Sequence, residues 1–149
     1  MKTKATRNVL LFLLAFLGLG ATFGGGVLII SPSGKLFGMP LSMLENSPFN
    51  SFLIPGIILF LVLGLVPLLL VFALLKTPNF KWAEKLNFFN DMHWSWTFTI
   101  YVAFALIGWI QIEMLFLGGA HWLQTFYMFL AVSIIFTALL PQVTDLYKK

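Results

Sequence analysis

Four long apolar runs, separated by shorter polar stretches, make up most of the chain. The run over residues 52–75 is 24 residues long and holds no charged or polar side chain. A helix needs about 20 apolar residues to cross a hydrocarbon core about 30 Å thick. A segment in that core must be helical, because no water is there to satisfy its backbone groups. Three other runs resemble this one, so the pattern predicts an all-α, polytopic membrane protein.

The limits of these runs predict a single domain over residues 1–149, organised as a four-transmembrane-helix bundle. We place the helices at about residues 8–30, 48–76, 95–117 and 121–141. The length of the first run favours a retained transmembrane helix over a cleaved signal peptide. The turn Gly118-Gly119-Ala120 is so short that the last two helices must be antiparallel neighbours.

Small residues and prolines predict how the first two helices pack and bend. Gly20 and Gly24 are four residues apart on the first helix, and the same spacing of small residues recurs at the next two positions. This spacing lets helix backbones approach closely in lipid. The three glycines at residues 24–26 favour a kink. Pro55 and Pro67 each remove a backbone hydrogen bond from the second helix and favour bends there.

The segment over residues 76–94 predicts a short interfacial helix between the second and third transmembrane helices. Its aromatic side chains alternate with charged ones, which are Lys81, Glu84 and Lys85. Such a helix lies at the headgroups with its apolar side toward the acyl chains. Asn90 or Asp91 is expected to cap the third helix, and His93 is expected to be an interfacial side chain rather than a ligand.

Composition agrees with a bilayer environment and narrows the partners. The chain is 60% hydrophobic and 9% charged, with a mean hydropathy of +0.96, whereas soluble domains carry about 25% charged residues. The net charge of +4 does not indicate nucleic acid, because the nine Lys and Arg are scattered at segment ends. That distribution favours contact with anionic headgroups. The absence of cysteine excludes disulfides, thiol redox chemistry and Cys-ligated zinc.

The distribution of lysine and arginine predicts the orientation of the chain. Three lie before the first helix, three over residues 76–94 and two in the C-terminal tail, against one in the first loop and none in the last turn. Four crossings bring the three richer segments to one side of the membrane. The positive-inside rule then places both termini in the cytoplasm.

Glu113 is the one acidic or basic side chain within an apolar run, which makes it a functional hypothesis by default. Trp109 shares its helical stripe one turn earlier. Just past the turn, His121 and Gln124 can approach Glu113 in an antiparallel hairpin, and Glu45 in the first loop lies on the same side of the membrane. We therefore predict an outward-facing ligand-binding site of Glu113, His121, Gln124, Glu45 and Trp109.

Several chemistries suit a histidine beside a carboxylate: proton-linked binding, a metal site or an acid–base pair. The simpler alternative is a hydrogen-bonded pair of Glu113 and His121 that ties two helices together. A metal centre requires three or more converging donors, and no HExxH pattern supports one, so neither a metal nor a cofactor is predicted. No Gly-x-Ser-x-Gly elbow or Walker sequence occurs, which weighs against an enzyme without excluding one.

A different face of the third helix holds Phe104, Gly108 and Gln111. Gly108 permits a close approach of another helix, and Gln111 can make an interhelical hydrogen bond. Phe104 is expected simply to pack. This face therefore predicts a helix–helix contact.

Two segments, SPFNSFLIPGIILFLVLGLVPLLL and GWIQIEMLFLGGAHWLQTFY, resemble uncharacterised small four-helix bacterial membrane proteins. The resemblance rests on Pro, Gly, Trp and Gln positions within apolar sequence. It implies a location in the bacterial inner membrane and carries no activity with it.

Together these features predict a non-enzymatic membrane component that acts through helix–helix or lipid contacts. Its predicted partners are the lipid bilayer and a homo-oligomer or another membrane protein, with no nucleic acid. The alternatives are an oligomeric small-molecule or ion carrier and an intramembrane enzyme, both using the site around Glu113 and His121. A Glu113→Gln substitution separates them, because transport or turnover depends on that carboxyl and helix contacts do not.

Overall fold

The computed structural model describes residues 2–33, 51–117 and 122–148. These residues are mainly helical, and no β-strand occurs among them, which confirms the prediction of an all-α chain. The helices are α1 (Lys2–Ile30), α2 (Leu53–Ile58), α3 (Val66–Lys76), α4 (Lys81–Lys85), α5 (Trp94–Leu117), α6 (Trp122–Leu139) and α7 (Pro141–Tyr147). A π-helix, Leu59–Leu65, joins α2 to α3, so that Leu53–Lys76 is one continuous helical stretch.

Three helical stretches in the described part of the chain are long and apolar enough to cross a membrane. They are Lys4–Ile30, Leu53–Lys76 and Trp94–Met114. A fourth crossing is present if α6 and α7, which meet at a bend of 66°, are taken as one broken span. The chain therefore has the helices of a membrane protein, with three spans or up to four.

Two helix ends differ from the limits drawn on the apolar runs. The first helix begins at Lys2 rather than near residue 8, so its basic residues lie on the helix itself. Pro141 begins a new helix, α7, instead of ending the fourth one. A proline in the first turn of a helix costs no hydrogen bond, because the N–H that it lacks has no intrahelical acceptor there.

Close packing of α1 against the Leu53–Lys76 stretch depends on glycines. A β-carbon added to Gly25 would lie 2.6 Å from the backbone nitrogen of Phe60, and one added to Gly18 would lie 2.7 Å from Cγ of Leu68. The expected close approach is thus present. Because residue numbers rise along α1 as they fall along its neighbour, the two helices are antiparallel. The contacting glycines are seven residues apart rather than four, and α1 continues as a helix through all three consecutive glycines.

The π-helix Leu59–Leu65 lies between the two prolines of the second helical stretch. Pro67 follows it, in the first turn of α3. Proline has no N–H to donate to the carbonyl four residues earlier, and a π-helix uses i→i+5 bonds in place of the usual ones. The break in the α-helical hydrogen-bond pattern that the prolines predict is therefore taken up within a continuous helix.

The remaining contacts bring several helix ends together. Nε1 of Trp96, at the start of α5, donates to the carbonyl of Ala138 near the end of α6 at 2.8 Å. The hydroxyl of Tyr147 on α7 donates to the carbonyl of Leu74 on α3 at 2.7 Å. Arg7, near the start of α1, is close enough to Tyr147 to act on it electrostatically. The starts of α1 and α5, the end of α3, and the short helices α4 and α7 together form one end of the molecule. We call it the basic end.

All Lys and Arg residues that the structure describes lie at the basic end: Lys2, Lys4, Arg7, Lys76, Lys81, Lys85 and Lys148. Among them, Lys4, Lys76, Lys81, Lys85 and Lys148 are exposed, and Arg7 is half-buried. The segments counted as rich in Lys and Arg are thus neighbours in space. The assignment of this end to the cytoplasm stays a prediction.

Candidate functional site

Three of the predicted site residues meet at the end of the molecule opposite the basic end. Nε2 of Gln124 on α6 donates to Oε2 of Glu113 on α5 at 3.5 Å. The side chain of Trp109, one turn before Glu113, also hydrogen-bonds that carboxyl. Gln124 is 7% exposed and Glu113 is partly buried. The antiparallel neighbours α5 and α6 therefore bring an acid and two hydrogen-bond donors together, as their order in the chain predicts.

The other two predicted members, His121 and Glu45, lie outside the described residues. Within the described ranges, no group of three or more His, Asp or Glu side chains is placed to hold a metal ion. What the structure shows is one carboxyl that accepts hydrogen bonds from an amide and an indole. Such a cluster links two helices, and Gln124 makes the interhelical bond that the simpler sequence hypothesis gave to His121.

The second face of α5 has no neighbour within the described chain. Phe104 is 59% exposed and Ile112 is 48% exposed, and Gln111 is exposed between them. A β-carbon added to Gly108 would meet nothing within 4 Å. We call Phe104, Gly108, Gln111 and Ile112 the α5 outer face. The helix contact predicted for this face is not made by the described residues of the same chain.

A buried network of hydrogen bonds at the basic end stabilises the turn before α5, and the sequence pattern did not predict it. Asn87 is 4% exposed. Its Nδ2 donates to the carbonyl of Met92 at 2.7 Å, and its Oδ1 accepts from the N–H of Phe89 at 3.0 Å and from the hydroxyl of Thr97. One side chain thus holds the turn between α4 and α5 against the first turn of α5. From sequence alone, an asparagine in a loop-like segment is expected to be exposed to solvent. Only the tertiary structure shows that Asn87 is buried and holds this turn.

The start of α5 is capped by residues other than the expected ones. Oε1 of Glu84 accepts from the N–H of Trp94 at 3.3 Å, and Nδ1 of His93 accepts from the N–H of Ser95 at 3.2 Å. Asn90 and Asp91 are exposed, and the prediction that one of them caps the helix is wrong. An acid near a helix start also complements the partial positive charge there. His93 helps to build this cap, and its location at the membrane interface stays a prediction.

The tautomer of His93 follows from these contacts. Because Nδ1 accepts a backbone hydrogen bond, the proton of the neutral ring lies on Nε2. Nε2 then donates to the carbonyl of Pro78 at 3.2 Å, and Nε1 of Trp94 donates to the same carbonyl at 2.8 Å. The ring therefore fastens the end of the second helical stretch to the start of α5, and both of its nitrogens serve structural bonds.

Comparison with known proteins identified no related protein. No protein-family model, no curated protein and no solved structure matches this chain.

Proposed function

We propose that the protein is a non-enzymatic membrane component, a four-helix bundle with both termini in the cytoplasm, that acts through helix–helix contacts within the bilayer. The observation that supports this most directly is the α5 outer face, where a glycine and a glutamine stand without a described neighbour on a helix able to span the membrane. The occupant we propose for this face is α5 of a second copy of the chain.

The chemistry of the face favours another helix over lipid. A side-chain amide without a partner in an apolar medium costs roughly 2–7 kcal/mol, depending on the reference state, and lipid tails offer Gln111 none. Gly108 lies one turn earlier and presents no side chain, so a second helix can come close to that amide. An amide is both donor and acceptor. Two copies related by a two-fold axis can therefore pair Gln111 with Gln111.

Cysteine cross-linking tests this contact cleanly, because the natural chain has no cysteine. We expect an Ile112→Cys variant in lipid nanodiscs or native membranes to form disulfide-linked dimers on mild oxidation. A Phe129→Cys variant serves as the matched control, since Phe129 is 69% exposed and lies on a different helix, α6. Equal yields at the two positions, or none at Ile112→Cys, would contradict the proposal.

Second substitutions in the Ile112→Cys background measure what the face contributes. Gln111→Leu removes the interhelical hydrogen bond, which is worth about 0.6–2 kcal/mol in membranes, and should weaken dimerisation by about 3- to 30-fold. Gly108→Leu places a large side chain at the point of closest approach and should abolish the cross-link. A dimer that survives Gly108→Leu unchanged must be formed by another surface.

The carrier hypothesis remains the second candidate because Glu113 is an acidic residue in a predicted transmembrane helix. Its carboxyl is hydrogen-bonded to the neighbouring helix α6. We expect Glu113→Gln to change the free energy of unfolding by less than about 1 kcal/mol, since an amide carbonyl still accepts from Gln124 and Trp109. Dimer cross-linking should be unchanged. Proton uptake into proteoliposomes by the natural chain, lost in Glu113→Gln while the thermal unfolding midpoint is kept, would instead establish the carrier.

A further inference from the structure

We infer that the basic end binds the phosphate of an anionic phospholipid headgroup in an open cleft beside α4. The cleft has a volume of about 580 Å³, and its lining residues are Asn79, Phe80, Lys81, Glu84, Lys85 and His93. We call it the α4 cleft. The inference rests on the membrane location in the proposed function and is independent of the α5 outer face.

The positive charge of the α4 cleft comes from its two lysines. Lys81 and Lys85 are four residues apart and so lie on the same side of α4. Both are exposed, and neither forms an ion pair with any residue in the described ranges. A phosphodiester has a single negative charge and two free oxygens, and each of these oxygens can accept a hydrogen bond from one of the two ammonium groups.

The acidic residue in the lining, Glu84, offsets one of the two lysine charges and leaves a net charge of +1, two lysines less one carboxylate. The carboxylate of Glu84 is directed to the first turn of α5, where Oε1 accepts from the N–H of Trp94 and Oε2 accepts from Nδ2 of Asn87 at 3.4 Å. The two ring nitrogens of His93 bond Ser95 and Pro78. The exposed amide of Asn79 adds a neutral donor to the rim.

The surroundings of the cleft point to a lipid rather than to a soluble anion. Large apolar side chains near it are exposed, Phe88 at 83% and Trp82 at 61%; the others are Phe80, Leu86 and Phe89. They lie between Lys76, where one apolar helix ends, and Trp94, where the next begins. Aromatic side chains in that position sit at the level of the headgroups. They would hold Lys81 and Lys85 where lipid phosphates are concentrated.

Native mass spectrometry of the full chain in detergent tests this site, with phosphatidylglycerol and phosphatidylcholine as the two lipid probes. We expect one phosphatidylglycerol to be retained in preference to phosphatidylcholine, and the double variant Lys81→Gln/Lys85→Gln to retain it about tenfold less. The matched control is Lys4→Gln/Lys76→Gln, which removes the same charge from exposed lysines of the basic end outside the cleft. This control should stay within about twofold of the natural chain.

Three results would overturn the inference. Equal losses in the two double variants would mean that general surface charge attracts the lipid. Equal retention of both lipids by the natural chain would mean that no anionic site exists. Displacement of phosphatidylglycerol by millimolar inorganic phosphate would identify a soluble-anion site. The thermal unfolding midpoint of the Lys81→Gln/Lys85→Gln variant shows separately whether the fold is intact, and the Ile112→Cys cross-link in the same background shows whether the proposed helix contact is intact.

Discussion

Replacing Gly25 by alanine is expected to lower the free energy of unfolding by about 2 kcal/mol, because the new methyl group meets backbone that cannot move aside. A β-carbon at this position would lie 2.6 Å from the backbone nitrogen of Phe60 and 2.7 Å from the carbonyl oxygen of Gly56. Both atoms belong to the neighbouring helical stretch. The methyl group therefore forces α1 and that stretch apart along their whole contact.

The neighbouring glycines provide controls within the same turn of α1. A β-carbon at Gly24 would lie 3.7 Å from Leu59, and one at Gly26 would lie 3.8 Å from Phe60, which are ordinary contacts with side chains. Alanine at either position should leave stability unchanged or raise it by about 0.5–1 kcal/mol, because alanine favours the helix over glycine.

The three alanine variants at residues 24–26 are compared by thermal unfolding in one detergent. A loss of about 2 kcal/mol for Gly25→Ala corresponds to a midpoint lower by about 4–8 °C for a chain of this size. The same shift in all three variants would show that helix propensity, and not the packing of α1, sets the stability of this region.

Replacing Asn87 by alanine is expected to lower the free energy of unfolding by about 3 kcal/mol or more. The substitution leaves the carbonyl of Met92, the N–H of Phe89 and the hydroxyl of Thr97 without their partner at a buried position. Each buried polar group left unsatisfied costs about 1–3 kcal/mol. The total is reduced where water can enter the space that the side chain leaves.

Asn90 is the matched control for this prediction, since it is exposed and three residues away in the same turn region. Asn90→Ala should change stability by less than about 0.5 kcal/mol. A double-mutant cycle of Asn87→Ala with Thr97→Val should show a coupling energy of about 0.5–3 kcal/mol, because the two side chains share one buried hydrogen bond. Equal unfolding midpoints for Asn87→Ala and Asn90→Ala, or additive effects in the cycle, would contradict the network.

Much of the candidate site at Glu113 follows from chain order. A short turn makes α5 and α6 neighbours, and helical spacing then brings Gln124 toward Glu113 and places Trp109 one turn before it. The rotation of each helix about its axis does not follow from chain order, because packing sets it. The exposure of Gly108 and Gln111 could therefore not be foreseen from a pattern that predicted a contact on their face.

The N-terminal cap of α5 is a second feature that the local sequence did not predict. Asn90 and Asp91 have side chains that favour a helix N-cap, and this preference is the reason that one of them was predicted to cap α5. The chain instead uses Glu84, ten residues before the N–H of Trp94 that it accepts from. A contact over that separation depends on the path of the turn between α4 and α5, which the buried side chain of Asn87 holds in place.

The sequence by itself determined the helices and the distribution of charge between their ends. Long apolar runs leave a helix as the one way to satisfy the backbone, and charged side chains other than Glu113 remain outside those runs, so both features are local. Only the tertiary structure decided which of three consecutive glycines touches a neighbouring backbone. It also decided which lysines share a cleft. The physical reason is that steric contact and charge proximity depend on the distances between helices, and no local pattern encodes those distances.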